Sequence, residues 1–408
     1  MKSILTRGAI AIGLVGVWSV TPADPIEFSG YMRAGTGFNT DGGRMTCFQL
    51  PGADYKWRLG NECDYVIEPE IGATLAEGED GSRWGVLVMP SAWTAWGFEE
   101  GDLEATFGQA YAYGENIPAL ANGRVWAGRR FYDRVQFGIN DFFMESRDGD
   151  GAGIEDMDVG FGKLSYAFLM DPNQAADNAN ITHSVRLTDI QTLPGNHLDI
   201  YTAYSHNQST SEGDPDIDND DGISVALYHT TTGTLGGSTI VGLQYRDYHT
   251  PDDDGVNPAA QDHDGSLYRL HLQQTGFIDA ASTGWDLIAQ YRYRDFDDGP
   301  EDDWYSLGAR TDTHLGGPFR FLLEIGHDRI EPDDGDTIHM TKGTAALALS
   351  AGPDPTSRPT IRFFATHARW NDAVNDAGGP LTFDDEGTSA FAGDTSGTSV
   401  GAQVETWW

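Results

Sequence analysis

The sequence predicts an all-β fold in the form of a transmembrane antiparallel β-barrel, and three observations carry this prediction. Apolar and polar residues alternate along many segments, which is typical of strands with one apolar and one polar face. Aromatic residues often fall near the ends of these segments, as in the girdles that mark the two membrane interfaces of a barrel. The connections are either short turns or long acidic loops, which is the asymmetry of outer-membrane barrels.

The alternation is clearest in four segments, 198–205, 285–294, 321–326 and 400–408. A soluble β-sandwich would show the same period, so the aromatic residues and the loops decide between the two architectures. Tyr291, Tyr293 and Trp408 lie near segment ends. The long acidic connections are 214–222, 251–265 and 295–303. A strand count in the high teens would leave an aqueous lumen.

The charge balance limits the partners of this chain. It has 63 acidic and 25 basic residues and a formal charge of −38. Binding to nucleic acid requires surface Lys and Arg that neutralise phosphates, so we expect no nucleic-acid partner. A polyanionic exterior suits a salty medium, or loops that divalent cations bridge to lipopolysaccharide. We expect the lipid bilayer and lipopolysaccharide as the surroundings of the barrel.

The first 23 residues have the pattern of an export signal. Lys2 and Arg7 form the charged end, residues 9–20 form a short apolar run, and Ala23 is a small residue at the cut. The apolar run is too short to span a bilayer as a helix. We therefore expect residues 1–23 to be a signal peptide and residues 24–408 to form one barrel domain.

Two cysteines, Cys47 and Cys63, remain in the exported part of the chain. An even pair at short spacing in an exported protein predicts a disulfide. Closing a loop of this size would stabilise the fold by about 3 kcal/mol in the chain-entropy model. A metal site is the weaker alternative, because no histidine lies nearby to complete a tetrahedral set.

An arginine-rich segment, 124–134, lies within a stretch with strand periodicity. Arg124, Arg130 and Arg134 share one face of this strand, and we place that face on the water-filled side. A charge on the lipid face would cost about 2–4 kcal/mol at the membrane midplane. Arg129 lies on the opposite face, so we expect it near a rim or at a subunit contact.

From this segment onward the sequence resembles the maltoporins, the sugar-selective porins of the Gram-negative outer membrane, with the sucrose-type porins as near relatives. The resemblance rests on VWAGRRFYDR (125–134), GAGIEDMDVGFGKLSYAF (151–168), FSGYMRAGTGF (28–38), CFQ (47–49), RLGNEC (58–63), LEIGHDRIE (323–331), SRPTIRFFATHARW (357–370) and GAQVETWW (401–408). It runs from residue 28 to the C-terminus and is thin between 169 and 320.

The resemblance implies an 18-stranded barrel that assembles as a homotrimer. It implies a third loop at about 133–153 that folds inward and narrows the pore, and a disulfide that closes the first loop. The implied function is facilitated diffusion of maltose, maltodextrins or other oligosaccharides across the outer membrane, without a cofactor. Two alternatives stay open: a general porin for small hydrophilic solutes, and a surface receptor that uses the acidic loops.

A sugar-conducting pore needs an aromatic lane for the C–H faces of the sugar and an ionic lane for its hydroxyls. By resemblance, the aromatic lane contains Tyr31 and Trp407, and a loop tryptophan that reaches a neighbouring pore matches Trp93 or Trp96. The ionic lane matches Arg33, Arg58, Glu68, Arg134 and Asp141, and Phe143 stands at the constriction. Tyr31 and Arg33 are two residues apart and therefore share a strand face. The alternative for the charged residues is a scaffold that only keeps the lumen polar.

The sequence also departs from the maltodextrin-specific pattern. Val66 and Thr356 stand at positions of lane aromatics, Gly108 and Gln136 at charged positions, and Gly138 at a histidine. A wider or less selective sugar pore is therefore as well supported as a maltodextrin channel. We expect no enzymatic activity, because the chain has no H-E-x-x-H motif and no G-x-S-x-G elbow; the match to the latter pattern at 397–401 runs into the alternating segment 400–408 and not into a helix. Pairs of Asp and Glu could resemble the two catalytic carboxylates of a glycosidase, but such pairs are expected by chance in so acidic a chain.

Overall fold

A computed structural model gives the fold. It describes residues 26–96, 104–140, 142–170, 178–209, 221–248, 265–296, 299–382, 391 and 393–408. The signal peptide predicted at residues 1–23 lies outside the described residues. No helix in these ranges is long and apolar enough to cross a membrane.

The described ranges contain 22 strands and one α-helical turn, with two further 3-10 turns at Pro118–Leu120 and Asp279–Ala281. The strands are β1 Glu27–Asn39, β2 Cys47–Phe48, β3 Asp64–Glu77, β4 Arg83–Ala95, β5 Glu104–Ile117, β6 Gly123–Arg130, β7 Val135–Phe137, β8 Phe142–Glu145, β9 Gly149–Asp158, β10 Lys163–Met170, β11 Asn178–Leu193, β12 Asn196–Ser209, β13 Asp221–Thr234, β14 Gly237–Tyr248, β15 Gly265–Ile278, β16 Thr283–Phe296, β17 Asp302–Gly316, β18 Phe319–Pro332, β19 Ile338–Ser350, β20 Thr360–Trp370, β21 Leu381–Thr382 and β22 Ser396–Trp407. The helical turn, α1, is Ala373–Asp376.

Eighteen strands close into one antiparallel barrel, as the sequence predicts. The barrel strands are β1, β3 to β6, β9 to β20 and β22. Each pairs with the next barrel strand along the chain, and β1 pairs with both β3 and β22, which closes the ring. The short strands β2 and β21 pair with each other, as do β7 and β8, apart from the barrel sheet.

The two ends of the barrel differ, which confirms the expected asymmetry. At one end, called here the turn end, adjacent strands are joined by short connections such as 194–195, 235–236 and 317–318. At the loop end the connections are mostly longer, and they include the first loop (40–63) and the third loop (131–148). Both loops lie within the barrel.

Strand faces follow the predicted alternation. In β18 the outward residues Leu323 and Ile325 are 47% and 58% exposed, whereas the inward Glu324 and Asp328 are 4% and 5% exposed. The same alternation runs through β20, where Ile361 and Phe363 face outward. The outer wall is therefore apolar, as lipid requires, and polar side chains face the lumen.

Loop residues fill one side of the lumen with an apolar cluster. Trp57 of the first loop is buried against Gly308 of β17 and Gly326 of β18, where any side chain would overlap the indole ring. Its Nε1 donates a hydrogen bond to Asp328 Oδ2 at 2.8 Å. Other members of the cluster are Phe48, Leu50, Tyr55, Phe137, Ile139, Phe142, Met144, Tyr228, Ile288, Trp304, Ile330, Met340, Trp370 and Phe391.

The third loop ends earlier than predicted. Its expected range was about 133–153, but β9 begins at Gly149, so the loop spans 131–148. Gly149, Gly151 and Gly153, at the end of the expected range, are strand residues at close contacts. A Cβ at Gly151 would overlap the Phe168 carbonyl, and one at Gly153 would lie 2.8 Å from Trp126 Nε1. Glycine here makes room for neighbouring strands and does not mark a loop.

Candidate functional site

Three neighbouring strands, β22, β1 and β3, carry a lane of polar and aromatic side chains on their lumenal faces. Tyr31 of β1 lies opposite Trp407 of β22 on one side and opposite Glu68 of β3 on the other. Cross-strand neighbours on one face of a sheet lie close enough for their side chains to touch. The antiparallel register therefore brings together three of the residues that the sequence assigned to the two lanes.

A second row runs beside the first. Arg33 of β1 lies opposite Glu405 of β22 and opposite Val66 of β3, and Val66 in turn lies opposite Trp93 of β4. Trp93 Nε1 approaches Asp64 Oδ2 at 3.4 Å. Trp93 thus lies in the lumen of its own chain, beside the valine that departs from the family's aromatic pattern.

Tyr31 is hydrogen-bonded at the centre of an ionic network. Its hydroxyl donates to Glu405 Oε1 at 3.1 Å and accepts from Arg58 Nη2 at 3.2 Å and Arg33 Nη1 at 3.3 Å. Arg58 also bonds Glu405 Oε1 at 2.7 Å and Glu62 Oε1 at 2.8 Å. The first loop, which carries Arg58 and Glu62, is thereby joined to the barrel wall.

Arg33 is paired in a fork geometry and is 8% exposed. Its Nε and Nη2 bond the two oxygens of Asp64 at 2.8 and 2.6 Å, and its Nη1 bonds Glu62 at 2.6 Å. Bidentate pairing of this kind fixes the guanidinium in one plane. Glu68 accepts from Ser91 Oγ at 3.3 Å. These contacts hold the lane in a defined order of donors and acceptors.

A cavity of about 500 Å³ adjoins this lane at the turn end. Trp407, Glu405, Arg58 and Arg362 line it on one side. The third loop closes it from the loop end, where the Ile139 carbonyl accepts a hydrogen bond from the backbone N–H of Arg58 at 3.3 Å. The first and third loops therefore meet above this cavity.

A second cavity, of about 310 Å³, contains Arg134 and Phe143. The Arg134 guanidinium lies 3.3 Å from the ring centre of Phe131 and 4.5 Å from that of Phe143, and its Nε donates to Asp148 Oδ2 at 2.9 Å. The structure therefore places Arg134 and Phe143 in a group of their own, apart from the contacts around Tyr31. Asp141, assigned to the ionic lane by resemblance, lies outside the described residues.

Trp96 and the disulfide belong to a separate cluster. Cys47 and Cys63 form the predicted disulfide, with their Cα atoms 5.9 Å apart. Trp96 is 6% exposed and packs with this disulfide, Met45 and Leu59 of the same chain. This cluster anchors the base of the first loop next to the lane.

The third loop is fixed to the wall by a buried carboxylate. Glu145 accepts from Tyr228 Oη at 3.1 Å and pairs with Arg147 at 2.8 Å. Burial alone would raise the pKa of the Glu145 carboxyl, but the guanidinium groups of Arg147 and Arg246 and a hydrogen bond from Gln244 outweigh burial. Its pKa is therefore held below the ordinary value, and the group is ionised at neutral pH.

The sequence does not mark several members of the site. Glu405 and Arg362 lie on strands in which apolar and polar residues alternate, so the alternation predicts that both side chains face the lumen. Only the fold shows that Arg362 donates a hydrogen bond to Glu405, at 2.6 Å. Glu62 and Asp64 flank the second cysteine, and no pattern marked them. Arg358 lies in a turn and gave no signal.

The lane offers fixed donors and acceptors beside aromatic surface. Arg58 and Arg33 donate, Glu405 and Glu68 accept, and Tyr31 does both. A solute with hydroxyl edges and C–H faces could exchange hydrogen bonds along such a wall while its rings contact the aromatic groups. Among the described residues, no group of three His, Cys, Asp or Glu side chains is placed to hold a metal ion.

A closed 18-stranded barrel with an apolar outer wall, a polar lumen and loops folded into that lumen is an outer-membrane porin. The chain belongs to the LamB porin family, whose model matches residues 26–408. This match covers the barrel and the lane together.

Solved structures of porins share the fold at low sequence identity. OccK2 of Pseudomonas aeruginosa has a TM-score of 0.53 and 9% identity, covering 94% of this chain and 97% of that chain. OccAB2 of Acinetobacter baumannii has a TM-score of 0.51 and 11% identity, with 94% and 98% coverage. OccD3 of Pseudomonas aeruginosa has a TM-score of 0.51 and 9% identity, with 94% and 91% coverage. At these identities the likeness concerns the barrel fold.

Proposed function

We propose that this protein is a sugar-conducting porin of the Gram-negative outer membrane. It works without a cofactor, catalyses no reaction and lets sugars diffuse down their gradient. Weak contacts along the lane of β22, β1 and β3 assist this diffusion, because a conducted solute must bind well enough to enter and weakly enough to leave. Maltose, maltodextrins or other short oligosaccharides are the solutes.

The observation that carries this proposal is the juxtaposition of Trp407, Tyr31 and Glu68 across three strands, with Arg58 bonded to the Tyr31 hydroxyl. An ion-conducting pore needs charged groups but has no use for aromatic rings in line with them. A pore for sugars uses both, since each pyranose ring presents hydroxyls at its edge and C–H groups on its face.

The test is a titration of ion current in a planar bilayer. The folded protein is reconstituted, and maltotriose, maltohexaose, sucrose and glucose are added in turn. We expect block by at least one oligosaccharide, with half-block in the millimolar range or below, corresponding to binding of about 4 kcal/mol or more. Current that none of the four sugars reduces would leave a general porin for small hydrophilic solutes as the function.

We further propose that the porin is a homotrimer, and Arg129 supports this. Arg129 faces outward and pairs with Asp150 at 2.9 Å. It lies opposite Ala110, near the middle of β5, and so does not lie at a rim. The pair borders a groove of about 900 Å³ on the outer wall that also contains Pro69, Pro90 and Phe107. A charged pair near the middle of a membrane strand is costly where it faces lipid. At a contact between subunits the same pair would be shielded from lipid.

The substitution Asp150→Arg tests the trimer, because it places two like charges side by side in the groove. We expect the variant to migrate as a monomer in native electrophoresis of detergent extracts, whereas the wild type migrates as a trimer. Glu331→Arg is the matched control, since Glu331 also pairs with an arginine, Arg329, at 2.5 Å. If Asp150→Arg migrates as a trimer to the same extent as Glu331→Arg, this groove is not the contact between subunits.

A further inference from the structure

The turn between β19 and β20 (351–359) folds against the inner wall of the barrel. Pro355 approaches Gly284 of β16 so closely that a Cβ there would lie 2.7 Å from its ring. Arg320, buried on the lumenal face of β18, donates a hydrogen bond to the Asp354 carbonyl. This turn brings Arg358 into the cavity of about 500 Å³ at the turn end.

Arg358 covers an aromatic ring of the lane. Its guanidinium carbon lies 3.5 Å from the ring centre of Trp407. Its Nη1 donates to the carbonyls of Pro355 and Ser357, both at 3.0 Å, which fixes the side chain in this position. A sugar that reaches Trp407 therefore meets a cation on the face of this ring.

The carboxylate nearest to Arg358 is already hydrogen-bonded. Glu405 Oε1 accepts from Arg58 at 2.7 Å and from Tyr31 at 3.1 Å, and Oε2 accepts from Arg362 at 2.6 Å. Arg358 Nη2 lies 3.5 Å from Oε2, as the third guanidinium on one carboxylate.

The cavity as a whole has more cations than anions. Four arginines and three carboxylates line it: Arg58, Arg310, Arg358, Arg362, Asp286, Asp312 and Glu405. The lining therefore carries one net positive charge, in a chain whose total charge is −38. Two buried N–H donors, the Nε groups of Arg358 and Arg362, have no hydrogen-bond partner among the described residues. Burial lowers the pKa of Arg358 to about 10. The like charges of Arg362, Arg320 and Arg58 also lower this pKa, whereas the carboxylate of Glu405 raises it.

We infer that this cavity is a subsite for the anionic group of an acidic sugar, and that Arg358 and Arg362 recognise it. The inference rests on the proposed sugar function and adds sugars that carry a carboxylate, such as uronic acids, to its solutes. Guanidinium groups form charge-assisted hydrogen bonds with carboxylates. A cavity of about 500 Å³ is within the usual range for small-ligand pockets. The indole edge of Trp407 remains beside it for the sugar ring.

The experiment compares block of ion current by trigalacturonate and by maltotriose in planar bilayers that contain the reconstituted protein. In the wild type we expect trigalacturonate to block at roughly tenfold lower concentration, the usual effect of a hydrogen bond to a charged group. Arg358→Gln should abolish this preference, and Arg358→Lys should retain most of it. The matched control is Arg329→Gln, an arginine on the outer wall, which should leave the preference unchanged. Glucose 6-phosphate and glucose are added to compare phosphate with carboxylate.

Each result decides one point. Loss of the uronate preference in Arg358→Gln but not in Arg329→Gln supports the subsite. A preference for glucose 6-phosphate over glucose that is as large as the uronate preference would extend the subsite to anionic sugars in general. Equal block by the two trisaccharides in the wild type would overturn the subsite and leave the sugar porin standing. A uronate preference that survives Arg358→Gln would also overturn it. Block by none of the sugars would overturn both the subsite and the sugar function.

Discussion

The two sides of the lumen use the same strand pattern for opposite purposes. On the wall of β13 to β20, inward side chains such as Trp304 and Ile288 are fully buried in one apolar cluster with Trp57 and Phe137 from the loops. On the wall of β22, β1 and β3, inward side chains form a hydrogen-bonded row around Tyr31. Alternation decides only that a residue faces inward. The loops that return into the barrel decide whether that position becomes core or channel.

The largest effect is expected on the apolar side, from Trp57→Ala. This change removes a fully buried indole whose space is fixed by two glycines, and such truncations cost about 3–5 kcal/mol. We expect the first loop to loosen from the wall of β17 and β18 and the single-channel conductance to rise. Conductance and thermal unfolding of the folded barrel measure both effects. Trp84→Ala on the outer wall is the control, because Trp84 is 45% exposed, and it should change conductance little.

A smaller effect is expected where the third loop meets the wall, at Glu145. Because the pKa of Glu145 is lowered in the folded protein, its stabilisation is fully present above about pH 4.3 and declines as the pH falls through the lowered value. The protection factors of the third-loop amides, which correct for the slower intrinsic exchange in acid, should therefore fall on acidification. Glu145→Gln should cost about 2 kcal/mol at neutral pH and remove most of this pH dependence. Protection factors that are equal at pH 3 and pH 7 would contradict this anchor.

The smallest effect is expected on the ionic side, from Tyr31→Ala. An aromatic contact contributes about 0.5–1.5 kcal/mol beyond its buried area, so sugar block should weaken by up to roughly tenfold with little change in stability. Tyr31→Phe keeps the ring and should lose less. Tyr305→Ala, on the outer wall, is the control. Unchanged block in Tyr31→Ala would show that sugars pass along another wall.

Much of the barrel was predictable from the sequence, because alternation and loop asymmetry are local. The end of the third loop was not predictable. Glycines are common in loops, but Gly151 and Gly153 lie in a strand, where they allow close contacts with neighbouring strands. In the site, Tyr31, Arg33 and Trp407 were assigned by resemblance, and the barrel register places them side by side. Arg358 could not be assigned, because its position depends on how one turn folds against Gly284 and Trp407. Contacts between distant segments leave no periodic signal.

The most direct measurement is a structure of the porin with a bound trisaccharide. We expect pyranose rings in van der Waals contact, within about 4 Å, with Tyr31 and Trp407, and sugar hydroxyls hydrogen-bonded to Arg58 and Glu68. Sugar density confined to the cavity of Arg134 and Phe143, with the lane of β22, β1 and β3 occupied only by water, would contradict it.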